Sequence, residues 1–125
     1  SLVGSEMCIR DRLTLKTLAP IKELLPNASE ATQGLDVTVL HTLVLEKLFG
    51  IDAENMAQQI NLTYTKIFDE AIEAVQSGKA QCAFLLNPTK VTQIRDVASA
   101  GEKMPQKSTY FYPKLITGLV MNELV

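Results

Sequence analysis

The densest cluster of polar and aromatic residues lies near the end of the chain, where Lys107-Ser108-Thr109 precede three aromatic residues and Lys114. Lysine ammonium groups supply positive charge, and serine and threonine hydroxyls donate hydrogen bonds. Such side chains beside exposed backbone amides are what a phosphate or carboxylate site needs. We therefore predict that Lys107, Ser108, Thr109 and Lys114 form an anion-binding group. The alternative is a solvated loop whose aromatic residues pack on the core.

Two other side chains could take part in chemistry. His41 is a secondary candidate for ligand binding, but no second His or Cys lies at metal-ligand spacing, which predicts no metal site and favours a packed histidine. Cys82 alternates with Ala80 and Phe84 along an apolar run and has no neighbouring base. This pattern predicts an inert thiol in the core.

One long helix is expected from Val37 to about Phe49, because Asp36 can cap its start and Gly50 suits the left-handed residue that ends a helix. At 100° per residue its apolar side chains spread around most of its circumference. A clear polar stripe is left only at Thr38, Thr42 and Glu46. A helix of this kind is buried between other elements or faces a partner.

Two shorter helices follow in the sequence. The i, i+3, i+4, i+7 spacing of apolar residues before Gly78 indicates one of them, with Phe68, Ala71, Ile72 and Val75 on one face. In the other, Asn87 caps the start, Pro88 opens the first turn and Gly101 ends the helix. Its inward face is predicted to carry Val91, Ile94, Val97 and Ala98.

Short strands are expected between these helices. Residues 13–34 are interpreted as a strand end and a surface loop, and residues 60–65 as a strand. Residues 80–86 form a nearly continuous apolar run, which is typical of a strand covered on both faces. Residues 108–112 and 114–124 are expected to be extended. The predicted fold class is α/β or α+β, a single small domain with three helices and a mixed sheet of about four to five short strands.

Composition and charge exclude several classes of function. The sequence pI is about 5.4 and the lysines are scattered, so the chain lacks the basic stripe that a nucleic-acid partner requires. No apolar run approaches the roughly 20 residues needed to span a bilayer, which predicts that the chain does not insert into a membrane. Residues 13–125 suffice for one core, so one domain is expected.

Residues 1–12 have no hydrophobic period, and they back-translate in frame to a transposon-type library adapter. We therefore expect them not to belong to the fold. Excluding them leaves the net charge at −2, since two basic and two acidic residues are excluded with them. It also leaves Cys82 as a single cysteine, which indicates a reducing, cytoplasmic location.

Three stretches of the sequence follow a pattern found in one protein family. They are Leu35-Asp36-Val37 with Leu40-His41 and Leu48-Phe49-Gly50-Ile51, then Ala83-Phe84-Leu85-Leu86-Asn87-Pro88, and above all Met104-Pro105-Gln106-Lys107-Ser108-Thr109-Tyr110-Phe111-Tyr112-Pro113-Lys114-Leu115. In this order, over about Leu35 to Leu124, they resemble the C-terminal region of a bacterial and archaeal family catalogued as domain of unknown function 1015. The resemblance implies that residues 35–125 are the C-terminal domain of a longer protein.

The resemblance has a limited functional implication. The family's better-known Asp-Gly-His-His-Arg motif would lie upstream of Leu13, and it makes the family look distantly like the ParB and sulfiredoxin superfamily of nucleotide hydrolases and free-serine kinases. This implies a small-molecule phosphotransferase that uses a nucleotide with Mg²⁺ and a phosphorylated small molecule. No catalytic residue transfers onto this chain. The alternative is a non-catalytic domain that packs its apolar helix against the missing N-terminal half.

Overall fold

The computed structural model describes residues 11–105 and 107–109, and within these ranges 48% of the residues are helical and none lies in a strand. The helices are α1 (Ala19–Leu24), α2 (Glu30–Gln33), α3 (Asp36–Val39), a π-helix that directly continues α3 (Leu40–Leu48), α4 (Ala53–Gln58), α5 (Phe68–Gln76) and α6 (Val91–Ser99). None of these helices is long and apolar enough to cross a membrane. The predicted α/β or α+β fold with a mixed sheet is therefore wrong.

The two best strand candidates are irregular in the structure. Residues 60–65 and 80–86 form no ladder, and no backbone hydrogen bond joins them within the described ranges. Leu85 and Leu86 are about half exposed instead of covered on both faces. An apolar run shows that a segment can be buried, whereas a strand also requires a neighbouring backbone to pair with. The segment expected at 114–124 lies outside the described residues.

The stretch expected to be a strand end and surface loop, residues 13–34, contains α1 and α2. Pro20 lies in the first turn of α1, where its missing N–H would have had no helical partner. Gln33 of α2 is buried, and its Nε2 donates hydrogen bonds of 2.9 Å to the carbonyl oxygens of Leu25 and Ala28. These bonds join the end of α1 to α2, so this stretch is an integral part of the packed structure.

The long helix predicted from Val37 to about Phe49 is confirmed as a helix, but its boundaries and winding differ. Leu35 is the residue that precedes its first turn, and the Asp36 side chain makes no capping hydrogen bond. Gly50 has a φ of +69° and ends the helix as predicted. From Leu40 onward the backbone follows the rare i to i+5 pattern of a π-helix.

The predicted polar stripe of this helix is wrong for two of its three residues. The Thr38 side chain is only 5% exposed to solvent and Thr42 is also buried, while Glu46 is exposed. Leu48 is 75% exposed and Phe49 58% exposed. Thr38, Thr42 and Leu45 are spaced i, i+4 and i+7, and all three are buried, so the stripe that was expected in solvent belongs to the inward face. α1 packs against the π-helix, which carries Thr42 and Leu45.

Both shorter helices are confirmed, but one of them, α6, begins later than predicted. α5 occupies Phe68–Gln76, as its apolar spacing predicted. α6 begins at Val91, so the predicted cap at Asn87 and first turn at Pro88 are wrong. Instead, Gln93 Oε1 accepts a hydrogen bond of 2.9 Å from the backbone N–H of Lys90 at the start of the helix.

The end and the faces of α6 are partly as predicted. Gly101 takes the left-handed conformation just after the helix, with a φ of +74°. Val97 is fully buried, but Val91 is largely exposed and Ala98 is exposed. The inward face of α6 is therefore narrower than its sequence indicated.

A cluster of buried apolar side chains joins three helices. Leu35 and Val37, at the start of α3, pack with Val97 of α6, and all three are nearly inaccessible to solvent. Ala31 of α2 and Met104 pack against this cluster. Because Met104 lies immediately before the predicted anion-binding loop, the core fixes where that loop begins.

Candidate functional site

The loop after α6 is a tight turn held to the protein at both ends. Met104 packs on the core, and the carbonyl oxygen of Pro105 accepts hydrogen bonds from the backbone N–H of Ser108 at 3.3 Å and from its hydroxyl at 2.5 Å. Ser108 is half-buried, whereas Lys107 and Thr109 are exposed. The hydroxyl proton of Ser108 is thus engaged inside the turn, and Lys107 and Thr109 present their polar groups to solvent.

Lys107 has an unusual backbone conformation. Its φ is +58°, in the left-handed region that costs an L-amino acid with a side chain about 1–2 kcal/mol. Glycine or asparagine normally occupies such a position in a turn. The turn therefore holds an exposed lysine where glycine would be more stable, and strain of this kind tends to occur where a side chain is needed for function.

Two hydrogen bonds connect this turn to the start of α3. The hydroxyl of Thr89 donates to the carbonyl oxygen of Ser108 at 3.1 Å. Two residues earlier, Asn87 Nδ2 donates to the Asp36 carboxylate at 2.9 Å. The segments around residues 36, 87 and 108, which the sequence analysis had singled out together, therefore meet in space. Lys90, which follows Thr89 directly, adds another exposed cation to this region.

A second polar cluster lies where the end of α6 meets α2. The Glu102 carboxylate accepts hydrogen bonds of 2.8 Å from the backbone N–H and from the hydroxyl of Ser29, and another from the hydroxyl of Thr32. Ser29 also caps α2, because its Oγ accepts from the backbone N–H of Thr32 at 3.3 Å. Glu102 therefore links two helices whose residues are some seventy positions apart in the sequence.

These bonds determine the electrostatics of the cluster. Hydrogen bonds from the Thr32 hydroxyl, the Ser29 hydroxyl and the Ser29 backbone lower the pKa of Glu102, and burial opposes them weakly. Hydrogen bonds to a carboxylate favour its charged form. Glu102 is consequently a charged residue with a structural role. Its carboxylate engages the Ser29 N–H and the hydroxyls of Ser29 and Thr32, so these donors are not available to a ligand.

His41 is placed on the π-helix and not in the loop. Its ring is half-buried and meets the ring of Tyr64 edge-on, with centroids 6.4 Å apart. Burial lowers the pKa of His41, so the imidazole is mainly neutral at neutral pH. In the part of the chain that the structure describes, no three or more His, Cys, Asp or Glu side chains are grouped to hold a metal ion.

The remaining predicted site residues have different outcomes. Lys114 lies outside the described residues, so its place beside Lys107 stays a prediction. Cys82 is an exposed free thiol, and the prediction of a core thiol is wrong because residues 80–86 are not covered as expected. Its exposure does not by itself make it reactive, because reactivity also depends on groups that lower the thiol pKa.

Two clefts lie away from the loop. One, of about 170 Å³, is lined by Glu70, Glu73, Ala74 and Lys79. The other, of about 290 Å³, lies between the end of α1 and the π-helix and is lined by Leu24, Leu25, Thr42, Glu46 and Lys47. The sequence indicated neither, because each depends on how separate elements pack.

Comparison with known proteins adds no further constraint. No protein-family model, curated protein or solved structure matches the chain. The functional interpretation therefore depends on the residues and geometry of the chain itself.

Sequence reasoning missed the residues that position the loop. Asp36 was interpreted as a helix cap, and Thr89 and Glu102 were not singled out. A local signal existed for Ser29, since Ser29 precedes a short run that can form a helical turn. No local signal could have revealed the role of Glu102, because its partners are distant in the sequence.

Proposed function

We propose that this chain supplies an anion-binding turn, centred on Lys107, to a site that handles a phosphorylated small molecule. The observation that carries the proposal is the left-handed backbone of Lys107 in an anchored turn. The anchored turn fixes the backbone from which the exposed Lys107 side chain extends into solvent. Thr109 adds an exposed hydroxyl, and Lys114 is proposed to complete the group.

The surroundings of the turn favour an anion. Lys90 and Lys103 are exposed and lie on the segments that meet there. Two carboxylates belong to the same hydrogen-bonded network, since Asp36 accepts from Asn87 and Glu102 accepts from Ser29 and Thr32, and both keep their negative charge. Counted as formal charges, Lys90, Lys103 and Lys107 (+3) exceed these two carboxylates (−2) by one positive charge. Lysine binds phosphate as a point charge on a flexible stem.

The enzyme class is proposed from the resemblance alone. A phosphotransferase would require a nucleotide with Mg²⁺ and catalytic groups, which the resemblance assigns to a part of the protein upstream of Leu13. Within the described residues, the proposed role is to bind and orient an anionic group. A cytoplasmic location belongs to the same proposal, since phosphorylated metabolites and a single free cysteine are both typical of that compartment.

The test is to titrate pyrophosphate into the 125-residue chain and into Lys107→Ala. We expect the substitution to weaken binding by about 1 kcal/mol or more, because it removes a charged hydrogen-bond donor that is partly screened by water. Affinity should also fall as salt is added, since the lysine is exposed. Chemical shift changes at the Lys107, Ser108 and Thr109 amides would locate the bound anion.

Lys79→Ala is the matched control, because Lys79 is an exposed lysine after α5 and belongs to none of the segments that meet at the turn. It should weaken pyrophosphate binding less than Lys107→Ala does. Equal effects of both substitutions would indicate diffuse attraction to a basic surface. Unchanged affinity in Lys107→Ala would overturn the proposal.

A second candidate function is docking of the exposed apolar end of the π-helix. Leu48 and Phe49 are both mainly exposed, and the Phe49 ring meets Phe84 edge-on with centroids 6.0 Å apart. Leu85 and Leu86 continue this exposed apolar surface along the chain. Contiguous exposed apolar residues often mark an interaction site. In this alternative, the surface packs against the N-terminal half implied by the resemblance.

A polarity-sensitive dye distinguishes this alternative. The isolated chain should bind the dye at this surface, and Leu48→Asp should reduce dye binding without loss of stability, since the residue is largely exposed. Val91→Asp is the control, because Val91 is equally exposed at the start of α6. An isolated chain that binds no dye would rule out the docking function.

A further inference from the structure

The larger cleft combines an apolar wall with both signs of charge. Leu24 and Leu25, at the end of α1, form one side, and Thr42, Glu46 and Lys47 of the π-helix form the other. Its volume of about 290 Å³ is at the lower end of the range for small-molecule clefts, roughly 300–1,000 Å³. The cleft therefore has about the volume of a small-molecule site.

The hydroxyl of Thr42 is available to a molecule in the cleft. Thr42 lines the cleft and is 9% exposed, and its hydroxyl remains accessible and forms no hydrogen bond with any described residue. An accessible hydroxyl without a protein partner can donate a hydrogen bond to a bound polar molecule and accept one from it. One turn earlier, the Thr38 hydroxyl is buried without a partner.

The amide of Gln33 is only partly satisfied. Its Nε2 is bonded to the carbonyl oxygen of Leu25, a residue that lines the cleft, but its Oε1 is buried without a partner. Gln33 is only 4% exposed. Together with the Thr38 hydroxyl, this gives two buried polar atoms without partners on α2 and α3, the helices that precede the π-helix.

The two charged residues of the cleft indicate which type of molecule it could bind. Glu46 and Lys47 are exposed, line the cleft, and form no ion pair with each other or with another described residue. Glu46 can accept hydrogen bonds from an ammonium group, and Lys47 can donate to a carboxylate. The two leucines suit an aliphatic group between them.

We propose that this cleft binds a small zwitterion with an aliphatic side chain, of which a free α-amino acid is the simplest example. Its ammonium binds Glu46, its carboxylate binds Lys47, and the Thr42 hydroxyl completes the hydrogen bonds. The aliphatic part packs on Leu24 and Leu25. This inference does not depend on the anion-binding turn, because none of these residues belongs to that turn.

The test is an NMR titration of the 125-residue chain with L-leucine as the probe. The backbone amides of Thr42, Glu46 and Lys47 should shift and saturate together. Glu46→Gln and Lys47→Gln should each weaken the affinity about three- to tenfold, because each removes one exposed charge pair. Analogues with one charge, isoamylamine and 4-methylpentanoate, should bind more weakly than leucine.

Thr42→Val removes the hydroxyl without disturbing packing. It should weaken leucine binding about tenfold. It should also leave the melting temperature nearly unchanged, since valine has the same shape and the hydroxyl that it replaces bonds to no described residue. A purely structural threonine would not produce weaker binding in a protein that is equally stable.

Glu73→Gln and Lys79→Gln are the matched controls, because these residues line the other cleft with the same two charges. They should leave leucine binding unchanged. The proposal is overturned if leucine shifts no amide of the larger cleft up to its solubility limit. It is equally overturned if the single-charge analogues bind as tightly as leucine, or if the control substitutions weaken binding as much as Glu46→Gln and Lys47→Gln.

Discussion

The region formed by α2, α3 and α6 differs sharply from the stretch between residues 59 and 90. In the first region, Leu35, Val37 and Val97 are buried together, and Glu102 links α6 to α2 through hydrogen bonds. In the second, α5 contains no buried residue, and large apolar side chains are exposed on both sides of it. The tightly packed region is the one whose contacts join distant parts of the sequence.

The comparison shows that an apolar segment is not necessarily a buried segment. Residues 80–86 form the most continuous apolar run in the chain, yet Leu85 and Leu86 remain about half exposed. Residues 29–33 are polar and look like a loop, yet Gln33 is buried and Ser29 accepts and donates in a network with Glu102. Burial follows from complementary partners as much as from hydrophobicity.

The largest effect is expected in the packed region. Leu35→Ala should lower the free energy of unfolding by roughly 2–5 kcal/mol, because it removes a fully buried side chain and leaves a cavity. Leu86→Ala, at a half-exposed position of the second region, should change it by no more than about 0.5 kcal/mol. Urea denaturation of both variants measures the contrast. Equal losses would show that residues 80–86 are packed as well.

A smaller, pH-dependent effect is expected at Glu102. Its folded pKa lies below the ordinary value, so its contribution to stability is complete above about pH 4.3 and is lost as the pH falls through the folded pKa. Glu102→Gln removes this contribution. The melting temperature of the variant should therefore be lower at neutral pH and should fall less steeply on acidification than that of the original chain.

Glu23→Gln is the control for this pH dependence, because the Glu23 side chain is exposed and forms no hydrogen bond or ion pair with a described residue. Melting curves between about pH 6 and pH 3 should have the same slope with and without this substitution. If Glu102→Gln melts like the original chain across that range, the bonds to Ser29 and Thr32 do not stabilise the fold.

The smallest effects are expected at two left-handed residues, one in each region. Gln59, with a φ of +53°, ends α4, and Lys107 lies in the anchored turn. Gln59→Gly and Lys107→Gly should each raise the free energy of unfolding by roughly 0.5–1 kcal/mol, because glycine adopts this conformation without steric strain. Chemical denaturation measures both. A loss of stability at either position would show that its side chain contributes packing that outweighs the strain.

The sequence by itself determined the positions of three helices and the ends of two of them, at Gly50 and Gly101. The period of apolar residues located α5, and Gly50 marked where the long helix ends, because these features depend on neighbours within one or two turns. It also identified the loop with Lys107, Ser108 and Thr109, since clustering of polar residue types is visible without coordinates.

Only the tertiary structure decided which faces are buried, whether strands form, and how the candidate sites are built. Thr38 and Thr42 lie on the buried face together with Leu45, although their polar side chains suggested a face in solvent. Within the described ranges no neighbouring backbone pairs with residues 80–86, so these residues form no strand. The Glu102 links depend on groups far apart in the sequence. Such contacts form only when several elements pack together, and no local pattern encodes that packing.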